Sequence, residues 1–432
     1  MSSVWLEDAK KLNFSSLKED KSTDVLIVGG GIAGVLSAYK LKKAGVDCIL
    51  VEADEILRGI TKNTTAKITL GHGLIYDKLI KRFGEEKARL YLEAQSDATA
   101  QYEELCSGIE CDYEKKDSFV YSLDSVKRIE REIAALNRLG VKADFSYADE
   151  LPIDVVGAVC VENQAQFNPL KFLYEISGAL PIYEHTKVVE LKPNEAVTSH
   201  AKISYKKLII ATHFPILNKH GGYFLKLYQH RSYVIALKGA ENVNGMYVDE
   251  SDTGLSFRNY GDLLLLGGGG HRTGKGGGCW QELEEFAKIH YPKAEIVARW
   301  AAQDCMTLDG VSYVGQYSRA TPNIFVATGF NKWGMTNSMV ASDILCDLIL
   351  GKENKYAKVF SPSRSALRPQ LFLNAFESAV GLLTPTAPRC PHLGCALKYN
   401  RAEHTWDCPC HGSRFTEEGK LIDNPTTDDK KI

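Results

Sequence analysis

Nothing in the chain approaches the roughly 18 uninterrupted apolar residues of a membrane-spanning helix, and MSSVWLEDAKKLNF has no signal-peptide core. Both absences point to a cytoplasmic protein. An excess of one charge is missing too. Lys and Arg number 52 against 54 Asp and Glu, for a net charge of −2, so the bulk charge makes no electrostatic case for nucleic acid or an anionic membrane. A phosphate-loop motif is absent: GGGGHRTGKGGG has the composition but lacks the GxxxxGK[ST] spacing, and reads as a flexible hairpin connection. No side chain stands out as a catalytic base. What remains is ordinary for a globular protein, with 44% hydrophobic and 25% charged residues. The 432 residues suffice for roughly two to three domains.

Two stretches carry the chemistry. The first is Thr23 to Ala53, TDVLIVGGGIAGVLSAYKLKKAGVDCILVEA. Val25 to Val28 is a short β-branched run. Gly29, Gly31 and Gly34 then supply GxGxxG, for a tight turn, backbone approach to a pyrophosphate, and close helix–strand packing. The helix that follows aims its free N–H groups and positive dipole end at the phosphates. Glu52 ends the second strand, about 20 residues after the turn, where a carboxylate accepts hydrogen bonds from ribose hydroxyls.

The second stretch lies at the other end. Of 11 cysteines, Cys390, Cys395, Cys408 and Cys410 crowd with His392 and His411 into CPHLGC and CPCHGS. Two thiolates and two imidazoles on paired loops fit a [2Fe–2S] centre with a Cys pair on one iron and a His pair on the other. The ligands would be Cys390, His392, Cys408 and His411. Neutral histidines raise the potential of such a cluster to about −150 to +300 mV. Cys395 and Cys410 stand where a disulfide could tie the loops together. Tetrahedral zinc also takes Cys₂His₂; the two surplus cysteines and the closing Gly-Ser weigh against it.

Between these ends, residues 76–140 read as mainly helical, with one helix stopping at Gly140. Residues 222–300 alternate as strands of an antiparallel sheet. NIFVATG followed by FNKWGMTNSMVASDILCDLILG is a late strand–turn–helix that returns beside the N-terminal nucleotide fold. Residues 1–22 read as an extension without chemistry, and 353–385 as a connector with an amphipathic patch near Leu371 to Val380.

The first 350 residues resemble the D-amino-acid oxidase and glycine oxidase superfamily of FAD enzymes. The likeness rests on VGGGIAG with Glu52, the Thr61 to Lys67 loop, the strand at Val188, and DGVSYVG…ATGFNKWGMT. The last 45 or so residues resemble a Rieske domain. The resemblance implies an α/β fold: a Rossmann-like FAD-binding domain (23–85, 151–215, 301–352), an inserted antiparallel-sheet substrate domain (86–150, 216–300), and a small all-β Rieske module (386–432). It implies FAD contacts at Ile32, Ala33, Glu52, Ala53, Thr61, Thr65, Ala66, Lys67 and Val188. The turn Gly329, Phe330, Asn331, Lys332, Trp333, Gly334, Met335 and Thr336 would face the flavin ring. Tyr233, Arg258 and Lys332 are the candidate substrate-pocket residues.

Three departures from the family patterns matter. Lys332 stands where glycine-oxidase-like enzymes carry a carboxylate-binding arginine, and a lysine is a point charge without the bidentate fork. Phe415 replaces a tyrosine that donates to a ligand sulfur in high-potential Rieske centres, which lowers the potential. GLLTPTAPR offers almost no strand before the first cluster loop, so the module borrows its base from the flavin part. The implied activity is oxidation of an amine or amino acid by FAD, with electrons passed singly to the cluster and on to a protein or quinone. Two alternatives stay open: an O₂-using oxidase with a structural or regulatory cluster, and a non-catalytic electron-transfer or redox-sensing protein. A Rieske oxygenase is disfavoured, because no two-His-one-carboxylate iron site can be found.

Overall fold

A computed structural model describes residues 3–217, 220–385 and 388–430. Its first layer is a sheet ordered Tyr313–Gln316, Ile324–Thr328, Lys202–Ile210, Lys21–Val28, Cys48–Val51, Ile182–Tyr183, with a hairpin (Val188–Lys192, Glu195–Thr198) paired to the start of Lys202–Ile210. The central strands run parallel. Their side chains alternate between two cores, as period-2 geometry requires. Val25, Ile27, Leu50 and Ile209 face helices Ile32–Lys43 and Gly334–Ile349, whereas Leu26, Val28, Ile49 and Leu208 face the other side. The late strand–turn–helix thus packs beside the first one.

The second layer is a nine-stranded sheet. Glu295–Thr307, Leu227–Lys238 and Leu263–Arg272 lead it, followed by Ser256–Tyr260, Met246–Asp249, Glu114–Ser122, Gly157–Gln166 and Lys67–Ile68, with Asp144–Ser146 also paired to Gly157–Gln166. It is antiparallel but for one pair, Met246–Asp249 with Glu114–Ser122. Sheet membership differs from the sequence expectation at three places. Glu114–Ser122 is a strand within the block expected to be helical. Gly157–Gln166 and Glu295–Thr307 belong to this sheet, not to the flavin sheet. Their apolar alternation is the same in either sheet, so periodicity alone cannot assign them. Helices Tyr76–Phe83, Glu85–Cys106 and Val126–Leu139 fill the remaining block, and Gly140 closes the last with a left-handed φ of 99°.

The glycine run is not a flexible connection. Gly267 to Gly270 lie inside strand Leu263–Arg272, and Gly274 lies in the turn beyond it. A Cβ on Gly274 would sit 2.7 Å from the Pro409 backbone, so the turn is bare because another chain segment presses against it.

That segment belongs to the C-terminal module, a four-stranded antiparallel sheet of Lys398–Asn400, Thr405–Asp407, Arg414–Thr416 and Leu421–Asp423. Its small core is made of Cys390, Cys395, Leu397, Cys408, Cys410 and Phe415. The connector contributes helix Pro369–Leu383, whose Gly381 carbonyl accepts from the Ala396 N–H at 2.9 Å. Among the described residues, no helix is long and apolar enough to cross a membrane.

Candidate functional site

A cavity of about 1030 Å³ opens between the two large sheets. Gly29, Gly31, Ile32, Ala33, Glu52, Ala53, Thr61, Thr65, Lys67 and Val188 line it, as do Gly329 to Met335. Gly34, Ala66 and Thr336 do not. Gly34 lies beneath the turn, where a Cβ would fall 1.9 Å from the Gly29 carbonyl oxygen. Thr336 is bound behind the turn, 3.0 Å from His72 Nε2.

The phosphate end is prepared by the fold. Gly29 sits at φ +110°, and the N–H of Ile32 donates to Thr61 Oγ1 at 3.0 Å, drawing the loop over the helix N-terminus. Glu52 accepts from the Gly30 and Asp54 N–H groups at 2.7 and 3.0 Å. Burial pushes its carboxyl above the ordinary range, against those donors. Lys67 is held down to about 7 by burial and by the nearby Arg258 charge. An anion beside Lys67 would favour its charged form.

The loop over the cofactor site is pinned from behind by residues outside the sequence motifs. Trp300 Nε1 donates to the Asn63 carbonyl at 3.0 Å, and Trp5 Nε1 to that of Thr64 at 2.8 Å. Arg258 donates to the carbonyls of Thr65 and Ala66 at 2.7 and 3.0 Å. Consecutive carbonyls are thus turned away from the cavity. Arg258 is therefore not placed in a substrate pocket: it is 1% exposed and absent from the cavity wall. Trp5 gives the N-terminal extension a task that its composition hid.

Tyr233 lies along the wall, yet its hydroxyl turns the other way, donating to Glu403 of the module at 2.9 Å and meeting His271 Nε2 at 3.0 Å. Strand parity explains this. On Leu227–Lys238, Tyr228, Ser232 and Val234 alternate with Gln229, Arg231 and Tyr233, so substrate-side and module-side residues share one strand. Lys332 does reach the cavity. Its turn has left-handed φ values of 51° at Asn331 and 71° at Lys332, and its ammonium donates to the Asp252 carbonyl at 2.6 Å. Burial lowers Lys332, while Asp304 and Asp252 raise it. Asp304, missed in the sequence because it sits mid-strand, is pushed up by burial and faces Lys332, His213 and Ser232. His72 stacks on Trp333 with ring centroids 4.9 Å apart, and burial holds it neutral at about 3.

The structure brings the two cysteine–histidine loops together. Cys390 N–H donates to the Cys395 carbonyl at 2.8 Å and Cys408 N–H to that of Ser413 at 2.9 Å. Cys395 and Cys410 form a disulfide. The rings of His392 and His411 stand edge to face, 4.9 Å between centroids. Burial holds them neutral, at about 4 and about 3, the form that ligates metal. Both ring nitrogens of buried His411 lack a partner with good hydrogen-bond geometry. A hydrogen bond from the Cys408 thiol lowers Cys390, and donors from the His392 backbone and Ser413 reinforce this. Cys408, which holds the shared proton, is itself pushed up by that bond and by burial. Two hydrogen-bonded thiols and two neutral imidazoles fit the donor set of a mixed-ligand iron–sulfur cluster.

Cavity and cluster loops share a wall. His213 lines the cavity, and the next residue, Phe214, packs on His392 and His411 at 6.4 and 6.2 Å between centroids. Asn424 of the module donates to the carbonyls of Thr212 and Phe214 at 2.5 and 2.8 Å. Gln303 donates to the Gly412 carbonyl at 2.9 Å, and Arg231 pairs with Glu403 in a buried bridge. Burial pushes Glu403 up, but Arg231 and Arg414 hold it below the usual carboxylate range. Leu421 to Asn424, Thr426 and Thr427 also line the cavity, so the module walls part of the cofactor site.

A dinucleotide cavity sharing a wall with a Cys₂His₂ loop pair defines a flavin- and iron–sulfur-dependent oxidoreductase. The chain belongs to the FAD dependent oxidoreductase (DAO) family, whose model matches residues 24–348, and residues 375–431 match the Rieske [2Fe-2S] domain. It is 34% identical to YhfW of Bacillus subtilis (strain 168), which carries the name of a Rieske 2Fe-2S iron-sulfur protein, over 98% of this chain and 95% of that one. It is 22% identical to the gamma-glutamylputrescine oxidoreductase of Escherichia coli (strain K12), over 82% of this chain and 90% of that one. Glycine oxidase from Geobacillus kaustophilus has a similar fold, with a TM-score of 0.66 and 18% identity over 80% of this chain and 99% of that one. FAD and a Rieske-type [2Fe–2S] cluster are the cofactors.

Proposed function

We propose that the chain oxidises an amine, with the substrate's electrons leaving through the Rieske cluster one at a time. The observation that carries this reading is the step from His213 to Phe214: one residue lines the flavin cavity and its neighbour packs on both cluster histidines. Bound FAD supplies a two-electron acceptor for the hydride that leaves the carbon next to nitrogen, and the resulting imine takes water.

The chain's own residues position and select. The cavity offers no free arginine fork for a carboxylate: Arg82, the arginine among its described lining residues, donates to the Asp309 carbonyl at 3.0 Å. Lys332 is a point charge without a fork, and one of its three N–H groups already donates to the Asp252 carbonyl. Asp304, buried in the wall with Ser232 beside it, complements an ammonium group. An amine is therefore favoured over a small α-amino acid, in keeping with the substrate for which the E. coli relative is named. Trp333 and His72 form a flat neutral wall that excludes water without offering a charge.

The test is an anaerobic panel of mono- and diamines, γ-glutamyl amines and amino acids, read by loss of oxidised-flavin absorbance. Bleaching by amines, with amino acids inert, supports the reading. Bleaching by amino acids alone overturns the substrate class, and rapid peroxide formation in air with an idle cluster replaces the dehydrogenase by an oxidase.

A further inference from the structure

Helix Pro369–Leu383 is inside out. Phe372, Phe376, Val380 and Leu383 recur at four- and three-residue spacing and share one face with Leu373. A globular helix turns such a face inward. Here that face is exposed, by 67% at Phe372, 65% at Phe376 and 82% at Leu383. The buried side is polar or small. Asn374 donates to the Leu225 carbonyl at 3.0 Å and accepts from Arg272 at 3.1 Å, and a Cβ on Gly381 would fall 2.5 Å from Cys410 Sγ. The concentration is local. Of eighteen exposed large apolar side chains among the described residues, eight fall between 367 and 393. Single exposed leucines need no explanation, whereas a contiguous patch does.

Two observations say what covers it. The first is charge. Arg368 starts the helix, Arg389 lies in the segment that follows it, and Lys398 is exposed on the adjoining strand. The one carboxylate on the helix, Glu377, is neutralised by Lys275 at 2.7 Å. From 368 to 398 three basic residues stand against this one neutralised carboxylate, although the whole chain carries −2. The second is position. The patch runs into the first cluster loop: Leu393 is exposed beside His392, and Gly394 packs near Leu382.

We propose that this face docks on an anionic lipid surface, the helix lying in the interface with Phe372, Phe376 and Leu383 in the acyl boundary. An apolar face with cationic flanks has the composition of interfacial helices. At 15 residues the helix extends about 22 Å, too short to span the bilayer but enough to lie on it. Docking in this pose turns the His392 edge of the cluster toward the membrane, where lipid-dissolved acceptors reside. It requires no turnover, so it stands or falls separately from the amine chemistry.

The experiment is flotation of the full-length holoprotein with phosphatidylglycerol-rich or phosphatidylcholine vesicles. The expected result is co-flotation with the anionic vesicles, weakened by high salt. The double substitution Phe372→Ser/Phe376→Ser should lower vesicle affinity by about tenfold or more. Flavin absorbance and the dithionite-reduced cluster signal, unchanged in that variant, establish that it has folded. Lys398→Glu should weaken anionic binding alone. Absence of flotation, flotation insensitive to these substitutions, or a concentration-dependent dimer that the same substitutions dissolve would overturn the proposal.

Discussion

Arg258 shows how a residue can sit near a cofactor site and work entirely through its neighbours. Its guanidinium holds the Thr65 and Ala66 carbonyls, so Arg258→Met should leave two buried acceptors unpaired. The expected cost is about 1.5–3 kcal/mol, read as a roughly 10- to 100-fold weaker FAD dissociation constant. Lys67 gives a pH signature. Its folded value of about 7 lies below the ordinary 10.5, so in the flavin-free protein unfolding takes up a proton between those limits. Stability should therefore rise with pH from about 7 toward 10.5, and Lys67→Met should flatten that rise in the thermal midpoint. A midpoint that falls across this window would contradict the burial of Lys67. At this scale the sequence was legible where a motif fixes the backbone, as at Gly29 and Glu52, which the structure places on the cavity wall. Arg258 and Tyr233 were not: a charged or aromatic residue on a strand reads the same whichever face it takes, and one step of register moves it from cavity to core.

Strand Leu227–Lys238 serves two partners, with the flavin cavity on one face and the Rieske module on the other. The buried Arg231–Glu403 bridge ties strand and module together. Glu403→Gln should strand Arg231, while Arg414 keeps Asp407 and Asp423, at about 3–5 kcal/mol for a broken buried pair. The measurable outcome is slower cluster reduction with unchanged flavin reduction, followed by stopped flow. The Cys395–Cys410 disulfide closes a short loop of sequence separation 15. Cys395→Ser should lower module stability by about 3 kcal/mol, seen as loss of iron at a lower temperature. The glycine run from Gly267 shows the limit of composition. Glycine tolerates bends and close contact alike, and only the packed partner, here Pro409, says which of the two applies.

The whole molecule is less divided than its two family matches imply. Leu421 to Asn424, Thr426 and Thr427 of the Rieske module wall the cofactor cavity, and the Lys187 ammonium donates to the Thr427 carbonyl. Removing residues after Leu383 should therefore weaken FAD binding, measurable as flavin lost on gel filtration, as well as remove the cluster. This coupling was not legible in the sequence, because motifs report what a segment binds and not what it packs against. Net charge misled in the same way. A value of −2 is a sum over the chain, and it hides the local excess of Arg368, Arg389 and Lys398 over Glu377 around helix Pro369–Leu383.

The proposal that substrate electrons reach the cluster rests on the shared wall at His213 and Phe214. Low-temperature EPR on anaerobic holoprotein, reduced by an active amine alone, tests this most directly. A Rieske signal matching the dithionite-reduced one is the predicted result. A flavin bleached by the amine beside a cluster that stays oxidised, while dithionite still reduces it, would contradict it.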